Sequence, residues 1–217
     1  MTNVLILGAN GQISRLVIER LLTETDFYLT LFLRRSHRIL DLVEGYHERV
    51  AVIEGDIHNT EQVLAATQKQ DLVFVSMVDH DTNNAITKNV INAMKQNNVS
   101  RVISANVLGI YDEVPLEFGR WNKATIGKAG LDSARNSDKL YELSGLTYTT
   151  LRLPWLNDRD EVDYVITHRN ESYLGVSGSR QSMADVIVRI AKNLEFLAND
   201  SVGIANASTQ GSTRPVY

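Results

Sequence analysis

The sequence predicts an α/β fold, a doubly wound parallel sheet of the Rossmann type, in a single domain over residues 1–217. Two observations predict it. Short apolar runs alternate with amphipathic segments from the first residues to about 153, and parallel strands need such crossovers. The first apolar run also leads straight into a glycine-rich turn.

The elements follow in order. Asn3–Gly8 is a near-continuous apolar run, as expected of a strand covered on both faces. Gln12–Thr23 places Ile13, Leu16, Val17, Leu21 and Leu22 at helical spacing. Phe27–Leu33 is a second strand, rich in aromatic and β-branched residues, and residues 36–45 hold a short helix. Val50–Ile53 is a third strand. Asn59 with Gln62 three residues later reads as a capping box for a helix to about 69. Asp71–Met77 is a fourth strand, residues 82–97 a helix, and Arg101–Val107 a fifth strand. A long loop with Phe118, Trp121 and Asn122 is expected next, then a helix over 128–145 that stops at Ser144-Gly145. Thr147–Leu153 is a sixth strand closed by Pro154. Beyond it the rhythm breaks. Short strands are expected near 163–167 and 172–176, a helix over Met183–Phe196 and a strand at Val202–Ala205. Residues 157–217 are expected to complete the substrate side.

Composition narrows the function. Net charge is −4, so nucleic acid and anionic membrane are not expected partners. The chain has no cysteine, which excludes disulfides, thiolate metal sites and a cysteine nucleophile. No stretch approaches the ~18 apolar residues of a membrane helix, and no basic lead precedes the first apolar run. A cytoplasmic protein is expected, as monomer or homodimer. The five histidines show no ligand spacing, so no metal is expected.

Gly8-Ala9-Asn10-Gly11-Gln12-Ile13-Ser14 carries the most information. It sits between strand and helix, where a dinucleotide fingerprint sits. Gly8 permits the turn, and Gly11 lets the backbone approach a pyrophosphate. The helix start near Gln12 and Ile13 aims free amides and the positive dipole end at it. Ser14 is small enough for close packing of helix on strand.

The second strand ends without the carboxylate that binds the NAD ribose. Its place is taken by Leu33-Arg34-Arg35-Ser36-His37-Arg38. Guanidinium groups bind a 2′-phosphate that a carboxylate would repel, so NADP(H) is expected over NAD(H). Asp56 and Ile57, after the third strand, are expected beside the adenine.

These features resemble the atypical short-chain dehydrogenase/reductase superfamily. The strings Ser144-Gly145-Leu146-Thr147-Tyr148-Thr149 and Leu151-Arg152-Leu153-Pro154, with Ser179-Arg180 and Ala184-Asp185, resemble its NmrA-like, NAD(P)H-binding branch, which also contains flavin/biliverdin reductase B. The resemblance implies a nicotinamide between the ends of the fourth to sixth strands, near Ser76, Met77, Asn106 and Pro154.

The usual Tyr-x-x-x-Lys dyad is missing. No tyrosine has lysine four residues later, and the positions aligned by the SGLTYT string are Gly130 and Ala134. Asn106 can donate a hydrogen bond but no proton, and Ser104 lies too early in its strand. Tyr111 and Asn106 are the catalytic candidates. Trp121 is a candidate to stack on a flat substrate, and His80 a weaker candidate acid, although aromatic anchoring and a solvated turn are the simpler explanations. No Gly-x-Ser-x-Gly elbow suggests a hydrolase. Two readings follow. One is an NADPH-dependent reductase of a flavin- or quinone-like acceptor, which needs no protein proton donor. The other is a non-catalytic NADP(H) sensor that reports to a regulatory protein.

Overall fold

Alternate residues of each central strand serve two different cores, which is why these strands read as unbroken apolar runs. The computed structural model describes residues 2–217. Strand β1 (Asn3–Leu7) sends Val4 and Ile6 to one face and Leu5 and Leu7 to the other. Helix α1 (Gln12–Glu24) and β2 (Tyr28–Leu33) follow. A 3₁₀ turn at Ser36–Arg38 and the short α2 (Leu40–Val43) replace the single helix expected over 36–45.

Then come β3 (Val50–Glu54), α3 (Thr60–Ala66), β4 (Leu72–Val75), α4 (Ala85–Gln96) and β5 (Arg101–Val107). Half of the expected capping box forms. Asn59 Oδ1 accepts from the Gln62 N–H at 3.1 Å, but the Gln62 side chain accepts from the Asp56 N–H at 2.8 Å instead of returning to Asn59.

The segment expected as a long loop is helical. Helix α5 spans Leu116–Ile126. Its glycine, which weakens the pattern, is required by packing: a Cβ on Gly119 would lie 2.0 Å from the Val114 carbonyl oxygen. Helix α6 (Lys128–Glu142) ends two residues before Ser144-Gly145, and β6 (Thr147–Leu153) matches its expected bounds.

After Pro154 come β7 (Trp155–Asn157), β8 (Val165–Thr167), β9 (Ser177–Ser179), α7 (Arg180–Lys192) and β10 (Asp200–Ala205). The strand expected near 172–176 lies at β9, paired in parallel with β7. Helix α7 starts three residues earlier than expected, because Ser179 Oγ caps it by accepting from the Ser182 N–H at 2.9 Å. A last 3₁₀ turn covers Ala207–Thr209.

The main sheet has the order β3-β2-β1-β4-β5-β6-β10-β8. Its first six strands reproduce the doubly wound Rossmann order, with the strand order reversing between β1 and β4. All main-sheet pairs are parallel except β10 with the edge strand β8. Helices α1 and α7 contribute to one core and α3, α4 and α6 to the other. Beyond residue 157, β10 and β8 therefore extend the same sheet, while β9 pairs with β7 in a separate two-stranded sheet. Among the described residues no helix is long and apolar enough to cross a membrane.

Candidate nucleotide site

The carboxyl ends of β1, β2 and β3 open into a cavity of about 640 Å³. Gly8 leaves β1 at φ +85°, a region that favours glycine, and a Cβ there would lie 2.6 Å from both Met77 Cε and Ser76 Oγ. The turn is fastened from two sides. The Gly8 and Ala9 N–H groups donate to the Phe32 carbonyl at 2.9 and 3.2 Å. Ser76 Oγ lies 3.0 and 2.9 Å from the Leu7 and Gly8 carbonyl oxygens. Ser76 thus braces the loop.

Gly11 is different. Its φ is −63° and a Cβ would stand 3.4 Å from its nearest neighbours, so the fold itself does not demand glycine. It also caps α1 without any side chain over the first-turn amides, and that turn carries no acid. An open N-terminus of a 13-residue helix beside a position kept bare fits a diphosphate. Ser14 is fully buried, as close helix packing requires.

Arg34, Arg35 and Arg38 line the same cavity as Gly8, Asn10 and Gly11. Among the described residues none of the three is in an ion pair. Ser36, in the same run, is already engaged: its N–H and hydroxyl both donate to Glu54, at 2.9 and 2.6 Å. Arg15, not anticipated from the sequence, ties the two parts of the site together. Its guanidinium reaches Asn10 Oδ1 at 3.3 Å, the Arg38 carbonyl at 2.9 Å and Asp41 at 2.6 Å.

Gly55, Asp56 and Ile57, read together from the sequence, line the cavity, with Phe32 and His58, which the sequence did not place there. Asp56 is exposed, and its Oδ1 accepts from the His58 N–H at 3.0 Å. Met77 lines the cavity. Gln12 is exposed at the helix start and Ile13 packs against the core beside α1.

The other expected nicotinamide and catalytic residues lie outside this cavity. Pro154 is buried against the β9 backbone, where a Gly178 Cβ would stand 3.2 Å from its Cγ. Asn106 is buried, and both ends of its amide are used. Nδ2 donates to the Ala134 carbonyl at 2.9 Å, and Oδ1 accepts from the Val107 N–H at 2.8 Å. It is thus built as a tie between β5 and α6, which corrects its expected role as a free donor. The Tyr111 hydroxyl donates to Asp138, and its ring lies within 5.5 Å of the Arg152 and Arg169 guanidinium carbons. Burial and the nearby carboxylate push its pKa up, which makes it a poor proton donor. Trp121 packs between Phe118 and Trp155, with centroids 5.5 and 4.9 Å away, rather than presenting a free face. Asp79 is buried and accepts from the N–H and hydroxyl of Thr87, both at 2.8 Å, while His80 is exposed.

Comparison with known proteins decides the family. A family profile described as NAD(P)H-binding matches residues 8–194. The chain belongs to this NAD(P)H-binding family. No curated protein matches it. Solved structures do. A short-chain dehydrogenase/reductase from Veillonella parvula in complex with NADP is 27% identical, with a TM-score of 0.91 over 100% of this chain and 99% of that one. A Rossmann-fold NAD(P)-binding family protein from Shigella flexneri is 34% identical, with a TM-score of 0.82 over the same shares. ChuY, an anaerobillin reductase from Escherichia coli O157:H7, shares the fold at 21% identity and a TM-score of 0.77, over 99% of this chain and 100% of that one. The chain is therefore an NAD(P)H-binding Rossmann protein, with reductases among its structural neighbours.

Proposed function

We propose that this family member prefers NADP(H) and reduces a flat, charge-delocalising acceptor of the flavin or quinone class. One observation carries the cofactor choice: three guanidinium side chains, in no ion pair among the described residues, share a cavity with the glycine loop. The NADP complex of the Veillonella relative supports the same reading. The open amides of α1 hold the diphosphate, and Arg34, Arg35 and Arg38 grip the 2′-phosphate. Asp56 and Ile57 flank the adenine, and Met77 lines the same cavity. When bound, the reduced nicotinamide supplies the hydride.

The acceptor class follows from what the chain lacks at the expected proton-donor positions. Gly130 and Ala134 carry no acid, and Asn106 and Tyr111 are engaged elsewhere. An acceptor that spreads its charge takes a proton from water, so the protein need only hold two rings together. The same missing donor favours a second reading, an NADP(H) sensor of the NmrA-like type acting on a regulatory protein.

Two measurements test these readings. Stopped-flow absorbance of NADPH mixed with flavins and quinones shows oxidation above the buffer rate if the chain is a reductase. Tight NADPH binding without oxidation selects the sensor. Calorimetry of Arg34→Ala shows NADP+ weakened by about tenfold or more and NAD+ little changed, because a charge-assisted bond is worth ~1.5–3 kcal/mol. Equal losses for both nucleotides refute the 2′-phosphate assignment.

A further inference from the structure

We propose that Glu54 is a specificity-determining residue that restrains selection of the 2′-phosphorylated nucleotide by acting as an internal rival anion; this rests on the reading that the Arg34–Arg38 turn receives the 2′-phosphate. Ser36 lies in that turn, between Arg35 and Arg38 of the cavity rim. Its N–H and hydroxyl form a donor pair of the kind that binds a phosphate oxygen. Both donate to a single oxygen, Glu54 Oε2, at 2.9 and 2.6 Å.

The topology brings the carboxylate there. Glu54 ends β3 opposite Leu33, the last residue of β2, so its side chain stands at the foot of the turn that follows β2. The residue is exposed, and no core packing holds it. The Ser36 bonds keep its carboxyl below the usual range, so it is charged near neutral pH. It pairs with none of the neighbouring arginines among the described residues. Its negative charge therefore occupies the donor pair without neutralising the guanidinium groups. A 2′-phosphate entering the turn must displace this carboxylate or sit beside a like charge, and both weaken its binding. A 2′-hydroxyl meets no such repulsion.

The test uses adenosine 2′,5′-bisphosphate and adenosine 5′-monophosphate, which differ only by the 2′-phosphate. Their affinities for the wild-type chain, Glu54→Gln and Glu54→Ala are measured by calorimetry, with thermal melting to verify folding. Glu54→Gln removes the charge but keeps an acceptor for Ser36, whereas Glu54→Ala removes both. The expected result is a gain: both variants bind the bisphosphate about two- to fivefold more tightly, the scale of an exposed charge pair, with the monophosphate unchanged. A bisphosphate-to-monophosphate affinity ratio that stays the same or falls in Glu54→Gln overturns the proposal and makes Glu54 a brace for the turn. If neither the wild-type chain nor Glu54→Gln favours the bisphosphate, the 2′-phosphate reading itself has failed and the proposal falls with it. If the wild type discriminates and the variants do not improve, only the role of Glu54 is lost.

Discussion

Gly8 and Gly11 stand three residues apart in one loop, yet the structure needs them for different reasons. Gly8 is held at positive φ with Met77 and Ser76 where a Cβ would be. Gly11 has an ordinary backbone and room for a methyl group. Gly8→Ala is expected to lower stability by about 1–3 kcal/mol, read as a fall in Tm without ligand. Gly11→Ala is expected to keep Tm near wild type while weakening both nicotinamide dinucleotides by about 1–3 kcal/mol, the usual strain of an added methyl in a tight contact. The sequence showed both glycines but not which one serves the fold. It showed Arg34, Arg35 and Arg38, because absence of an acid at the end of β2 is a local signal. It could not show Arg15, whose partners Asn10, Arg38 and Asp41 meet it only through folding.

Helices α1 and α7 show what element-level pattern can and cannot reveal. Their apolar spacing was legible, but the charged staple joining them was not. Glu24 accepts from Arg20 and from Lys192, both at 2.6 Å, and Arg20 also reaches Asp185 at 2.9 Å. The Arg20 hydrogen bond, then that of Lys192, lower the Glu24 pKa from 4.5 to about 2. A depressed folded-state pKa gives stability that is present above pH 4.5 and lost as pH falls toward 2. Glu24→Gln should therefore cost stability at pH 7, and the difference from wild type should shrink over that acid window in denaturant titrations. Helix α5 is not legible in the sequence, because Gly119 interrupts its pattern and Leu116 opens it at φ +61°. Leu116 is 73% exposed, so its side chain contributes little packing against that strain. Leu116→Gly is expected to stabilise the chain by about 0.5–1 kcal/mol, raising Tm by a degree or more.

At the scale of the whole molecule, one buried cation joins segments far apart in sequence. Arg152 on β6 is fully buried and pairs with Glu113 at 2.7 Å. It also donates to the carbonyls of Thr167, His168 and Ser201 at 3.0–3.2 Å. It thereby secures the β8–β10 edge to β6 and to the segment after β5. Arg152→Leu leaves the buried Glu113 side chain without its ion-pair partner, held only by the Gly109 and Tyr111 N–H groups, and three carbonyls without this donor. The expected loss is about 3–5 kcal/mol, measured by denaturant unfolding, because breaking one side of a buried pair strands its partner. The motif containing Arg152 marked family membership in the sequence, but nothing local revealed that its side chain was structural.

The sequence by itself determined the alternation of strands and helices, the glycine loop and the basic turn, since each is encoded by residues close together in the chain. The tertiary structure decided the helical identity of α5, the inward commitment of Asn106 and Tyr111, and the contact between Ser36 and Glu54. Those outcomes depend on which backbones approach and which polar atoms meet once the sheet has formed. Periodicity reports the face a residue occupies, whereas the partner waiting on that face is fixed only by long-range packing.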